Sequence, residues 1–193
     1  VNLKFVFAPL IFAAAGCGER TEKQPRGESF FPALSFIRSQ VAHVDTALYS
    51  IVQVVQRDSL PADTQYLHRE QFRVAAKDFL DLPDIAQKKL RRKYVEEKLY
   101  DETLNRVVLR YVPADPEKAE LQKQEVLIAP DPSGDKVTSI FIEQVRTSRD
   151  SSVHKKLLWQ VDRSFTVTTI LQRRAQPETT TIVKVIWNEE SEE

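Results

Sequence analysis

Glycine and cysteine are almost missing from this chain: its 193 residues include four glycines, one cysteine, three histidines and no methionine. After Gly27 only Gly134 remains. A phosphate-cradling P-loop, a dinucleotide fingerprint and a nucleophile elbow each need glycines at fixed spacing, so enzymes of those types are excluded from the body of the chain. His43, His68 and His154 lie far apart, and no His-Glu-x-x-His pair occurs. With no second thiol to ligate either, a zinc site of the usual kind has no support, and neither a metal nor a cofactor is expected. A single cysteine forms no disulfide within the chain, so core packing alone must hold the fold.

One-sided charge is also missing. Lys and Arg number 28 against 28 Asp and Glu, a formal net charge of zero. Binding to nucleic acid leans on many Lys and Arg contacts to phosphate, so no nucleic-acid partner is expected. The one dense basic run, Lys88-Lys89-Leu90-Arg91-Arg92-Lys93, is followed at once by Glu96-Glu97. It reads as a solvated helix face, with contact to anionic lipid headgroups as the alternative. Val1 at the first position and the absence of methionine fit a non-AUG start read literally or a missing initiator.

What the chain does have is a short apolar N-terminal run that closes on its cysteine. Lys4 supplies positive charge, Phe5 to Ala15 is an eleven-residue stretch without a charge, and Ala14-Ala15-Gly16-Cys17 sets small residues before the thiol. A bilayer core roughly 30 Å thick needs about 20 apolar residues in a helix, so this run is too short to span and reads as the apolar region of a secretory signal. The tetrapeptide resembles the lipobox of bacterial lipoproteins, with Ala14 where that family usually carries Leu. The resemblance implies cleavage before Cys17, a diacylglyceryl group on its thiol and acylation of the new amino terminus, palmitate among the chains. Gly18 follows the cysteine instead of Asp, which by the same resemblance favours the outer membrane of a two-membrane envelope. The alternatives are an ordinary signal peptide cut after Ala15 or Gly16, and a buried apolar helix with a packed free cysteine. The layout is also similar to that of small lipoproteins of Bacteroidota.

The chain then divides into a signal peptide (1–16), a lipidated cysteine with a polar tether (17–30) and one domain (31–193). Removing residues 1–16 takes away Lys4 and leaves 27 Lys and Arg against 28 Asp and Glu, a net charge of −1. A domain of this length can bury a sizeable core. From Pro32 onward, Leu34, Ile37, Val41, Val44 and Leu48 recur at helical spacing, which predicts an amphipathic helix. A β-branched strand is expected at residues 49–56, a turn at 58–63, a second helix at about 68–82 and a third, short helix holding Ile85 and Leu90.

The remaining hundred residues read as strands: 94–100, 106–112, 124–129, 136–145, 153–161, 165–172 and 179–187. Asp115-Pro116 is expected to open one helical turn through Leu121. Short strands on short turns pair with their sequence neighbours, so the predicted fold is α+β, with N-terminal helices packed on a twisted, mainly antiparallel β-meander.

Candidate catalytic groups are few. His43 and Asp45 are two apart on the first helix, where such residues do not face each other. His68 reads as a capping or surface residue and His154 as a solvent-facing strand residue. Ser133, Ser151 and Ser152 fall in Asp-rich turns, where serine ordinarily stabilises the turn. No catalytic residue is assigned. Phe141, Trp159, Phe165 and Trp187 come from four of the later strands and are expected to converge, either as core or as an apolar groove for a lipid, peptide or partner strand. The expected function is that of a lipid-anchored, non-enzymatic envelope protein whose domain binds another envelope protein. The alternatives are an envelope hydrolase with an Asp, Glu and Ser site assembled by folding, and a carrier of an apolar ligand.

Overall fold

A computed structural model describes residues 29–188; Cys17 and the signal-like segment lie outside the described residues. Helix α1 spans Ala33–Thr46. Strands β1 (Ile51–Arg57) and β2 (Asp63–Leu67) follow, then three short helices, α2 (Arg69–Ala75), α3 (Lys77–Leu80) and α4 (Lys88–Arg91). Seven strands complete the described chain: β3 (Tyr94–Asp101), β4 (Arg106–Pro113), β5 (Leu121–Ala129), β6 (Lys136–Thr147), β7 (Ser151–Gln160), β8 (Ser164–Arg173) and β9 (Thr179–Ile186). A 3-10 turn at Pro116–Lys118 joins β4 to β5.

Among the described residues, nine strands lie in one sheet, in the order β2-β1-β9-β8-β7-β6-β5-β4-β3, and every pairing is antiparallel. From β3 to β9 it is a meander, as the alternation and short turns imply. The first hairpin then lies beside the last strand, with Val55 opposite Val183 and Val52 opposite Ile186. Asp58 reinforces that junction: its amide donates to the Thr180 carbonyl (2.8 Å) and its carboxylate accepts from the Thr180 amide (2.7 Å).

Register sorts the side chains into two faces, since residues directly opposite one another share a face. One row across the sheet runs Leu109, Val126, Ile140, Trp159, Phe165 and Val185; the next runs Tyr111, Gln124, Ile142, Leu157, Val167 and Val183. Most of these residues are buried. They form one apolar cluster with Ala33, Ile37, Val41 and Val44 of α1, Phe72 of α2, Ala76, Phe79 of α3, and Ile85. On the opposite face, Arg110, Glu125, Phe141 and Leu158 lie in a row, with Arg110 Nε donating to Glu125 Oε1 at 2.7 Å.

Four local expectations change. The first helix stops at Thr46, and Leu48 is 93% exposed, so the apolar stripe ends at Val44. Strand β2 was not expected: its Asp-Thr-Gln-Tyr-Leu sequence has no apolar alternation, because it is an edge strand held by main-chain pairing to β1 and by Gln65 Nε2 donating to Gln53 Oε1 at 2.6 Å. The predicted helix at 68–82 breaks at Ala76, whose φ and ψ of −80° and 3° leave the helical region. Ile85 is buried in a turn before α4 instead of lying on a helix, and α4 itself buries no residue.

Candidate functional site

Three prolines and two alanines shape a partly open pocket at one end of the sheet. Pro83 ends the chain segment after α3, Pro113 closes β4 without an amide to extend the ladder, and Pro116 opens the 3-10 turn. Between these stops, Ala114 and Ala119 have side chains too small to fill the space left by the turning chain. The resulting pocket has a volume of about 450 Å³, within the range of small-molecule sites.

Apolar residues predominate in the lining: Pro83, Leu90, Tyr94, Pro113, Ala119 and Leu121. Tyr94 is fixed by its hydroxyl, which donates to the Leu121 carbonyl at 3.1 Å. Its phenol is pushed above the ordinary tyrosine range, first by burial and then by the Glu120 carboxylate. The Ala114 amide donates to the Lys93 carbonyl at 2.8 Å, tying the β4 exit to the β3 entry. Gln122 Nε2 donates to the carbonyls of Pro116 (2.9 Å) and Ala119 (2.5 Å), which fixes the turn.

Four charged residues border this space: Lys93, Asp115, Lys118 and Glu120. Both acids are engaged, Asp115 with Lys118 Nζ at 2.7 Å and Glu120 with Arg146 Nε at 3.1 Å. Lys93 makes no ion pair among the described residues, and neither do Lys88, Lys89 and Arg92 of the same basic run. The pocket therefore joins an apolar interior to a border whose uncompensated charge is positive.

The late-strand aromatics occupy a different place. Trp159, Phe165 and Trp187 do converge, with ring centroids 5.4 Å apart for Trp159–Phe165, 5.3 Å for Trp159–Trp187 and 6.2 Å for Phe165–Trp187. They are buried to 0–3% exposure and meet Phe72 and Phe79: Phe72 stands 5.2 Å from Trp187, and Phe79 5.2 Å from Trp159. Phe141 does not join them. Its odd position on β6 sends it to the opposite face, where Lys123 Nζ lies 5.0 Å from the ring centroid.

The candidate catalytic groups stay apart. Asp45 pairs with Arg73 at 2.5 Å, while His43 Nε2 lies 3.4 Å from the Tyr49 hydroxyl, so the helix presents them to different partners. His68 precedes α2, where its amide donates to Gln71 Oε1 at 2.8 Å. His154 sits between Val145 and Ile170 on the face away from the aromatic cluster. Ser133 donates to Asp131 Oδ1 within the β5–β6 turn, and Ser151 is bound up with Ser148 at the β6–β7 turn; Ser152 lies opposite Thr147 and Gln172. Among the described residues, no group of three or more His, Cys, Asp or Glu is placed to hold a metal ion, and no helix is long and apolar enough to cross a membrane.

Sequence reasoning missed the pocket and two buried amides. Gln124 and Gln144 are buried, and their Nε2 atoms meet no acceptor among the described residues. The signal for the pocket was present as Pro83, Pro113 and Pro116 bracketing small residues beside the basic run, but nothing local says that these segments meet. Comparison with protein families, with curated proteins and with solved structures found no match to this chain.

Proposed function

We propose that the chain is a lipid-anchored, non-enzymatic protein of the cell envelope whose α+β domain binds another envelope component. The observation that carries this reading is Ala14-Ala15-Gly16-Cys17 with a polar run behind it, thirteen residues ahead of Phe30. Phe30 and Phe31 support the placement of the domain's start: the Phe30 ring lies 4.7 Å from that of Tyr111, and the Phe31 amide donates to the Tyr111 hydroxyl at 3.0 Å. A lipid on Cys17 then holds the domain near a membrane surface. Two or more acyl chains, at about 0.8 kcal/mol per buried methylene, meet the need for more than one anchoring signal. Gly18 favours the outer membrane. In this reading the helices act as a cover for the aromatic face of the sheet.

Fractionation of cells producing the full chain tests the anchor. The wild-type protein is expected in the membrane pellet and Cys17→Ser in the soluble fraction, folded. Retention of Cys17→Ser with membranes overturns the reading. Capture with the intact acylated protein then identifies the partner, and reproducible turnover abolished by one point mutation would refute the non-enzymatic assignment.

A second reading, a carrier of an apolar ligand, is favoured by the pocket between α4 and the ends of β3, β4 and β5. Its ligand would lie there and not among Trp159, Phe165 and Trp187, whose rings are taken up by Phe72, Phe79 and one another.

A further inference from the structure

We infer that this pocket takes a single-chain anionic amphiphile, its apolar tail against Leu90, Tyr94, Pro113 and Leu121 and its carboxylate or phosphate head on Lys93. The inference rests on the carrier reading and adds the chemistry of the ligand; it does not depend on lipidation of Cys17.

Three observations combine. The pocket holds about 450 Å³ and its walls are largely hydrocarbon, which suits one tail and not the body of a folded partner. Polar groups of the lining are already committed: the Tyr94 hydroxyl donates to the Leu121 carbonyl, and the Ala114 amide donates to the Lys93 carbonyl. A ligand rich in hydrogen-bonding groups would find few partners, whereas a methylene chain needs none. The border supplies the discrimination. Asp115 and Glu120 are neutralised by Lys118 and Arg146, so among the described residues the free cation of the border is Lys93, with Lys88, Lys89 and Arg92 close behind it in sequence.

A neutral tail alone would leave this charge unused, and a cationic amphiphile would be repelled by it. The Tyr94 phenol is held above its usual range first by burial and then by the Glu120 carboxylate, consistent with a low-polarity interior for the tail.

The basic run offers a competing arrangement in which Lys88, Lys89, Arg92 and Lys93 lie flat on anionic headgroups while the pocket stays out of use. Charge alone does not separate the two, but depth does. Only the pocket arrangement draws the tail past Ala119, and only that arrangement is sensitive to filling the space from inside.

The test uses the full chain carrying Cys17→Ser, which receives no lipid of its own. Dodecanoate is titrated below its micellar concentration by calorimetry at low salt, and dodecanol, lysophosphatidylglycerol and phosphatidylglycerol vesicles are titrated in parallel. Saturable 1:1 binding of dodecanoate is expected, weakened about tenfold by Lys93→Glu and at least as strongly by Ala119→Trp, which fills the space from the turn. Binding of both dodecanoate and lysophosphatidylglycerol supports the shared chemistry. Binding of one alone also supports the pocket, and it identifies the source as free fatty acid or membrane lipid.

Equal affinity for dodecanoate and dodecanol leaves the carrier reading standing and refutes head selection by Lys93. Dodecanoate binding that both variants leave unchanged refutes the pocket. Binding to vesicles with none to any monomeric amphiphile refutes the inference in favour of headgroup contact by the basic run. Circular dichroism of Ala119→Trp establishes that its loss of binding is not a loss of fold, and Leu90→Ser, on another segment of the lining, provides a second variant with the same expected direction.

Discussion

Replacing Phe79 by alanine is the sharpest test of what holds the sheet and the short helices together. Phe79 is fully buried, and its ring stands edge-on to Trp159 (5.2 Å, 80°) and to Phe165 (5.4 Å, 64°). Truncating a buried Phe costs about 3–5 kcal/mol, the spread reflecting how far the site collapses around the cavity. Two ring contacts, each worth roughly 0.5–1.5 kcal/mol beyond area, put this site in the upper part of that range, about 4–5 kcal/mol. Trp159 and Phe165 are stacked at 16° and held by Trp187, so they have little freedom to move into the space. For a domain of this size each kcal/mol shifts Tm by about 2–4 °C, so the expected drop is about 8–20 °C.

Urea unfolding supplies the free energy, with an unchanged slope confirming that the variant exposes the same surface on unfolding. Phe141→Ala is the matched control. The same residue type on the other face has only the Lys123 cation and half-burial to lose, about 1–2 kcal/mol. A Phe79→Ala loss below about 1.5 kcal/mol, or one no larger than that of Phe141→Ala, would refute the assignment of the aromatic face as the centre of the core.

The contrast between those two phenylalanines also marks how far the sequence can be read. The period of two alone sets Leu157 with Trp159 on one face of β7, and Val183 with Val185 on one face of β9. That period does not say which face is buried where apolar residues run together: Ile140, Phe141 and Ile142 are consecutive on β6, as are Leu157, Leu158 and Trp159 on β7, and on β6 the register with Gln124 and Val126 sets the isoleucines on the inner face. A period-two rule is silent where both faces are partly covered. Strand β2 was hidden for the opposite reason, since an exposed edge strand needs no apolar residues. The pocket was illegible because its walls come from segments centred on residues 83, 90, 113 and 120, and their meeting is a product of sheet order, not of local pattern. What the sequence did expose was the likeness of Ala14-Ala15-Gly16-Cys17 to a lipobox, which needs no tertiary structure to be read.

Two titrations provide the remaining tests. Asp131 is held well below the usual carboxylate range by Lys136, then by the Ser133 hydroxyl and amide. An NMR titration is expected to place its midpoint there, and Lys136→Ala to move it back up. Because the folded pKa is depressed, the stabilisation from this turn is present above the unfolded value of about 4 and is lost as pH falls through the folded one. Tyr111 gives the mirror case at alkaline pH. Burial pushes its phenol above the ordinary range, and a hydrogen bond to the Glu96 carboxylate pushes it further, against the opposing effect of the Phe31 amide that donates to its oxygen. Folding then favours the protonated phenol, so its contribution is complete below an unfolded pKa of about 10 and drains away as pH rises toward the folded value. Tyr111→Phe should cost about 1 kcal/mol near neutral pH, where the Phe31 amide loses its acceptor. Above pH of about 10 the wild type alone carries this penalty of ionising a buried phenol, so the stability gap between the two proteins should narrow there. Tyr94 and the lysines titrate in both proteins and cancel in the difference. A gap that stays constant from pH of about 8 to 11 would mean that Tyr111 ionises no differently in the folded and unfolded chains, and the burial of its hydroxyl beneath the Phe30–Phe31 entry would then be wrong.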